Sequence, residues 1–139
     1  CPAEAAQALA ATKGVLEISP AVLRDRLDAR EATAIIDVRP PSHFAVAHLA
    51  ASENWPLPQL LRTPPEELRR RVAARLEEVA PYCLQPLVVC VCRRGVDSLR
   101  AAAHLQEVGA EAALVRNLTG GLRAFATTSE APSEPPGLT

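Results

Sequence analysis

Residues 86–92, Pro-Leu-Val-Val-Cys-Val-Cys, form an apolar run that does not alternate. A strand with one wet face alternates polar and apolar side chains. A short, uniformly apolar run reads instead as a strand covered on both faces, as in the middle of a parallel sheet. A second run of this kind, Ala34-Ile-Ile-Asp37-Val38, lies upstream. Helical spacing follows both, and this alternation predicts an α/β domain with a mostly parallel sheet and helices on its faces.

The remaining segments fit around these two strands. Val15-Leu-Glu-Ile18 is a short strand candidate. Ser19-Pro20 reads as N-cap and first residue of a helix with Val22, Leu23 and Leu27 on one face. Arg39-Pro40-Pro41 blocks a helix until Ser42, and residues 42–58 read as a short helix and then an irregular loop. Thr63-Pro-Pro-Glu66 has the form of a capping box opening a helix over 64–79, with Leu68, Val72, Leu76 and Val79 at helical spacing. Ser98 to Val108 reads as a helix ended by Gly109, and Ala112-Ala-Leu-Val115 as a third core strand. Asn117-Leu-Thr-Gly120-Gly121 then turns into a last short helix with Leu122, Phe125 and Ala126 facing inward.

The Ala-rich residues 1–14 read as a linker or lead-in, 15–128 as one domain, and the Pro-rich 129–139 as a disordered tail. With 139 residues, the chain can bury about two-thirds of its unfolded surface. It contains no Met, and reads as an excised piece of a longer protein or a processed form. A net charge of −1 supplies no footprint for nucleic acid or an anionic membrane, and no apolar run approaches the roughly 20 residues of a membrane span. Of the four cysteines, Cys90 and Cys92 lie two apart on a strand, with Cα atoms about 6.5–7 Å apart, at the limit for a disulfide. A reducing, cytoplasmic setting follows. Scattered histidines and a lone Cys-x-Cys make no metal-ligand set.

Chemistry concentrates where the strand ends. Cys92-Arg93-Arg94-Gly95-Val96-Asp97-Ser98 places a cysteine at a strand tip, then a Gly-bearing loop, then a helix start. Inward N–H groups and the helix dipole make such a site a holder of a sulfur anion, and lower a cysteine from its free pKa of about 8.5. Cys90 reads as core, Cys83 as an incidental loop cysteine, and Cys1 as a boundary residue.

Four pieces stand in order: Ile36-Asp37-Val38-Arg39, His43-Phe44 with His48-Leu49, the Cys92 loop, and Leu118-Thr-Gly120-Gly121-Leu-Arg-Ala-Phe125. This ordered set resembles the rhodanese-like family over residues 15–127. The resemblance implies a five-stranded, mostly parallel sheet flanked by helices, and a catalytic cysteine that carries sulfane sulfur as a persulfide. That cysteine would be Cys92, with Arg93, Arg94, Gly95, Val96 and Asp97 as its cradle. Asp37, Arg39 and Ser98 would support it. Asp37 and Arg39 are expected to pair around the active loop, His48 to pack or hydrogen-bond, and Trp55 to fill space or line the mouth.

The loop is most similar to the C-terminal domain of the adenylyltransferase–sulfurtransferase family, although Val96 stands where such loops carry Asn, Ala47 where the family has Gly, and Phe125 where it has Trp. That likeness implies a ubiquitin-like sulfur carrier as acceptor, in molybdenum cofactor synthesis or tRNA thiolation, and a cysteine desulfurase as donor. It implies no cofactor in this domain; ATP, magnesium and zinc would belong to an adenylation domain. Asp97 supports a protein donor, because a carboxylate near thiosulfate costs on the order of 1–3 kcal/mol at the high effective dielectric of a protein surface. The alternatives are a generic thiosulfate sulfurtransferase and a non-catalytic binding module. A related cysteine phosphatase would need Arg six positions after the Cys, where this chain has Ser98.

Overall fold

The computed structural model describes residues 15–79 and 85–129. Five strands form one sheet: β1 (Glu17–Ile18), β2 (Thr33–Asp37), β3 (Glu53–Asn54), β4 (Leu87–Val91) and β5 (Val115–Leu118). Their order is β1-β5-β4-β2-β3, and every neighbouring pair is parallel. Six helices are present among the described residues: α1 (Pro20–Asp28), α2 (Pro41–Val46), α3 (Leu57–Arg62), α4 (Pro65–Val79), α5 (Asp97–Glu107) and α6 (Gly121–Ser129). The expected α/β class with a parallel sheet is what forms.

The two apolar runs occupy β4, at the sheet centre, and β2 beside it. All five residues of β4 are buried, which explains why the run does not alternate. Leu87, Val89 and Val91 face one core with Ile18, Leu23, Ile35, Leu118 and Phe125, under α1 and α6. Val88, Cys90 and Cys92 face a second core with Ile36, Leu60, Leu68, Val72, Ala101 and Leu105, under α3, α4 and α5. Ser19 caps α1 as its sequence requires, its hydroxyl accepting the Val22 N–H at 3.1 Å.

Several local expectations are corrected. The third core strand is not 112–115. Ala112–Leu114 make a 3-10 turn, and β5 begins at Val115 and runs through Arg116 and Asn117. Apolar content pointed to the wrong residues because these two polar side chains find partners inside the fold. Arg116 donates to the carbonyls of Ala113 and Val115 at 2.9 and 3.0 Å.

The capping box at Thr63 does not form. Thr63 ends α3, and its hydroxyl donates to the Gln59 carbonyl at 2.7 Å, so α4 starts at Pro65. Residues 42–58 hold more structure than an irregular loop, namely the edge strand β3 and the start of α3. Pro41 is itself the first residue of α2, because its fixed φ suits that position. Val22, read on one face with Leu23 and Leu27, and Ala126, expected to face inward, are exposed. The lead-in, Cys1, Cys83 and the tail beyond Ser129 lie outside the described residues.

Candidate active site

β4 delivers Cys92 to the carboxyl end of the central strand, where parallel sheets bind ligands. The residue is 5% exposed and opens onto a depression of about 230 Å³ lined by Cys92, Arg93, Arg94, Val96 and Asp97. A larger hollow of about 540 Å³ lies between Trp55, α3 and α4, but no cysteine lines it.

Two N–H donors and one hydroxyl oxygen converge on the Cys92 sulfur. The Gly95 N–H reaches Sγ at 3.0 Å, the Ser98 N–H at 3.3 Å, and the Ser98 hydroxyl oxygen lies 3.2 Å away. Ser98 is fully buried in the first turn of α5, so the positive end of that helix faces the sulfur. Arg93, Arg94, Val96 and Asp97 are exposed. Val96 precedes α5 in a helical conformation and makes no side-chain cap, so its side chain belongs to the surface of the loop.

The loop is braced from behind by the start of α6. The Leu122 N–H donates to the Cys92 carbonyl at 2.8 Å, and the Arg123 N–H to the Arg93 carbonyl at 3.0 Å. Glycine is required at this approach. Gly95 has φ +90, and a Cβ there would stand 3.0 Å from the Gly120 nitrogen. Gly121 has φ +69, and a Cβ there would overlap the Arg93 carbonyl. The Gly-Gly pair, read from sequence as a turn and helix entry, also seats the cysteine loop.

Two site residues were not singled out by the sequence. Asn117 on β5 accepts the Ser98 hydroxyl at 2.6 Å and donates to Glu17 Oε1 at 3.0 Å and the Gly95 carbonyl at 3.3 Å. Glu17 also accepts the Thr119 hydroxyl at 2.8 Å. The one available signal was a polar Asn between strand-like residues just before the Gly-Gly turn.

Asp37 and Arg39 do pair, through Nε to Oδ1 at 3.0 Å and Nη2 to Oδ2 at 2.8 Å, with Asp37 fully buried. They do not bond to the active loop as expected. Arg39 donates onward to the Ala47 carbonyl at 2.7 Å, and Asn54 spans the Asp37 and Arg39 carbonyls at 2.9 Å each. The pair therefore anchors the segment from α2 to β3. His48 stacks on Phe44 at 3.7 Å and bonds its carbonyl, and Trp55 is buried in the same core cluster as Cys92. Cys90 is fully buried and unbridged, and burial pushes its thiol up to about 12. No group of side chains suited to a metal occurs among the described residues.

The family model described as Rhodanese-like domain matches residues 19–128. Adenylyltransferase and sulfurtransferase MOCS3 of Arabidopsis thaliana is 36% identical over 115 residues, covering 78% of this chain and 23% of that protein. Its Drosophila persimilis counterpart is 35% identical over 97 residues, covering 70% and 20%. The chain thus spans about a fifth of the length of these curated relatives. Among solved structures, the human single-domain sulfurtransferase TSTD1 aligns with TM-score 0.58 and 23% identity over 82% of this chain and 97% of that one. A Saccharomyces cerevisiae homologue of single-domain rhodanese and the Cdc25 phosphatase catalytic domain aligns with TM-score 0.67 and 20% identity, over 86% and 84%. At these identities the structural likeness is one of fold. With the sheet order, the cysteine loop and the family match in agreement, the chain belongs to the rhodanese-like domain family.

Proposed function

We propose that this domain is a sulfurtransferase that carries sulfur as a persulfide on Cys92 and passes it to the activated C-terminus of a ubiquitin-like sulfur carrier. The observation that carries this reading is the convergence of the Gly95 and Ser98 N–H groups on Cys92 Sγ at the floor of an open depression. Such a cradle stabilises a sulfur anion, and the depression leaves room for one more sulfur beyond Sγ.

The chemistry balances with thiols and an acyl adenylate. The Cys92 thiolate attacks the outer sulfur of a donor persulfide. The new S–S bond forms, the donor's S–S bond breaks, and the donor leaves as a thiolate. The terminal sulfur on Cys92 then attacks the acyl carbon of an adenylated carboxyl terminus, and AMP leaves. A second thiolate attacks Cys92 Sγ, expels the thiocarboxylate and leaves a mixed disulfide for a further thiol to reduce. The activation step, with its ATP and magnesium and any zinc, belongs to an adenylation domain, in keeping with the two activities named in the curated relatives. A reducing, cytoplasmic compartment suits thiol chemistry. Among the described residues no helix is long and apolar enough to cross a membrane.

A cysteine desulfurase is the proposed donor. Asp97 lines the depression and repels a small dianion, whereas a persulfide presented by a protein brings less charge. Arg93 and Arg94 line the same depression and favour the second reading, thiosulfate as donor. Incubation with a cysteine desulfurase and cysteine, followed by intact mass and peptide mapping, tests the proposal. An adduct of one sulfur on Cys92, absent in Cys92→Ala, is expected. Its absence would leave a binding module.

A further inference from the structure

The amide of Asn117 has one orientation open to it. Nδ2 faces a Glu17 carboxylate oxygen at 3.0 Å and the Gly95 carbonyl at 3.3 Å, both acceptors only. Oδ1 therefore faces Ser98 Oγ, at 2.6 Å. Two oxygens this close need a proton between them, and only the serine can supply it. A serine hydroxyl has one proton. With that proton committed to Asn117, the 3.2 Å contact between Ser98 Oγ and Cys92 Sγ is bridged by the thiol proton, with sulfur donating. A thiolate reverses this demand: it attracts the hydroxyl proton, and Asn117 must give it up.

We propose that Glu17, acting through Asn117, fixes the direction of the Ser98 hydroxyl and so holds Cys92 as a thiol until that hydroxyl turns. Glu17 and Asn117 are positioning residues, neither of which touches the sulfur. The turn of one hydroxyl then gives the sulfur anion a third donor beside the Gly95 and Ser98 N–H groups. Glu17 itself is held by the Thr119 hydroxyl, so the lock runs from the edge strand to the central one. The other charged or titratable groups around Cys92 are Arg93, Arg94 and Asp97 from the loop and α5, and Cys90 from β4. All four stay unchanged in the variants below. The inference rests on Cys92 being the residue that carries sulfur, but its test uses no sulfur donor.

The measurement is the pH profile of Cys92 alkylation by iodoacetamide, read by peptide mapping, with circular dichroism to verify the fold. The thiolate attacks carbon, iodide leaves, and the thiol proton goes to buffer. In Glu17→Ala the Asn117 amide loses the shorter of its two anchors and keeps only the 3.3 Å bond to the Gly95 carbonyl, so its hold on the Ser98 hydroxyl loosens and the hydroxyl swings to the sulfur. The expected result is a profile shifted to lower pH, with a rate about three- to tenfold higher below its midpoint. Glu17→Gln, whose carbonyl oxygen still accepts from Asn117, is expected to restore the wild-type profile. In a Ser98→Ala background, Glu17→Ala should change nothing.

A second pair guards against a folding defect. Asn117→Asp combined with Glu17→Gln presents an acceptor-only carboxylate to Ser98, and the profile should move to higher pH. An unmoved profile in Glu17→Ala overturns the inference. So does an equal shift in the Ser98→Ala background, which would assign the effect to lost charge at Glu17, or a profile that fails to rise with Asn117→Asp. Loss of persulfide loading with these shifts intact would instead overturn the function reading alone.

Discussion

The Leu122 N–H donates to the Cys92 carbonyl at 2.8 Å, so the first turn of α6 is hydrogen-bonded to the residue proposed to carry sulfur. The loop after Cys92 is thereby held from both sides, by the start of α5 at the sulfur and by the start of α6 at the backbone. This arrangement depends on Gly121, which sits at φ +69 against Arg93.

Gly121→Ala is expected to cost about 3 kcal/mol or more, combining left-handed backbone strain with collision against the Arg93 carbonyl. Sulfur loading of Cys92 should fall with it. Gly109→Ala is the control. Gly109 has φ +77 but nothing within 4 Å of a new Cβ, so strain alone applies, about 1–2 kcal/mol, and loading should persist. Urea denaturation and intact mass read both quantities.

Arg39→Met removes the partner of a fully buried carboxylate. An uncompensated Asp37 should lower stability by about 3 kcal/mol or more, roughly 10 °C or more in Tm. The pair's side-chain bonds run to the segment from α2 to β3. Alkylation of Cys92 measured well below the new melting point should therefore keep its wild-type rate. A loss of reactivity in the folded variant would show that Asp37 and Arg39 support the cysteine loop after all.

Cys90 gives stability a pH dependence of known sign. Burial raises its thiol from the ordinary 9.0 to about 12, so the folded state keeps a proton that the unfolded chain releases. Its stabilising contribution is whole below pH 9 and is lost as pH rises toward 12, at about 1.4 kcal/mol per pH unit. Cys90→Val should flatten this decline when urea midpoints at pH 8 and pH 10.5 are compared. In the native wild type, Cys90 should also resist iodoacetamide at pH 8 while Cys92 reacts.

Asp97→Arg converts the single carboxylate lining the depression at Cys92 into a third cation beside Arg93 and Arg94. Thiosulfate:cyanide turnover should rise roughly tenfold or more, because the dianion then meets attraction alone. Cys92→Ala should abolish it. A wild-type turnover already matching a dedicated thiosulfate enzyme, or no rise in Asp97→Arg, would remove the argument for a protein donor.

Some of the fold was readable because it is written locally. Ser19-Pro20 capped α1 as read, and Gly109 ended α5 in a left-handed conformation. Thr63 shows the limit of that kind of reading. Its motif suited a helix start, but α3 was already in place upstream, and the hydroxyl went to Gln59 instead. The strand at 115–118 was misplaced by the same logic. Arg116 and Asn117 look wrong for a buried strand until their partners are known.

Two apolar runs that do not alternate determined a parallel sheet covered on both faces, and the cysteine at the end of one of them marked the candidate site. Glycine at 95 and a helix directly after the loop, read from Ser98 and observed from Asp97, were legible for the same reason: each is a property of neighbouring residues. Which side chains tune that cysteine was decided only by the tertiary structure. Glu17 and Asn117 are 100 residues apart, and Asn117 and Ser98 are 19 apart. Periodicity and capping report which face a residue takes, whereas a buried polar group is tolerated only when a partner arrives from elsewhere in the chain. The parallel pairing of β1 with β5 brings that partner, setting Glu17 opposite Asn117.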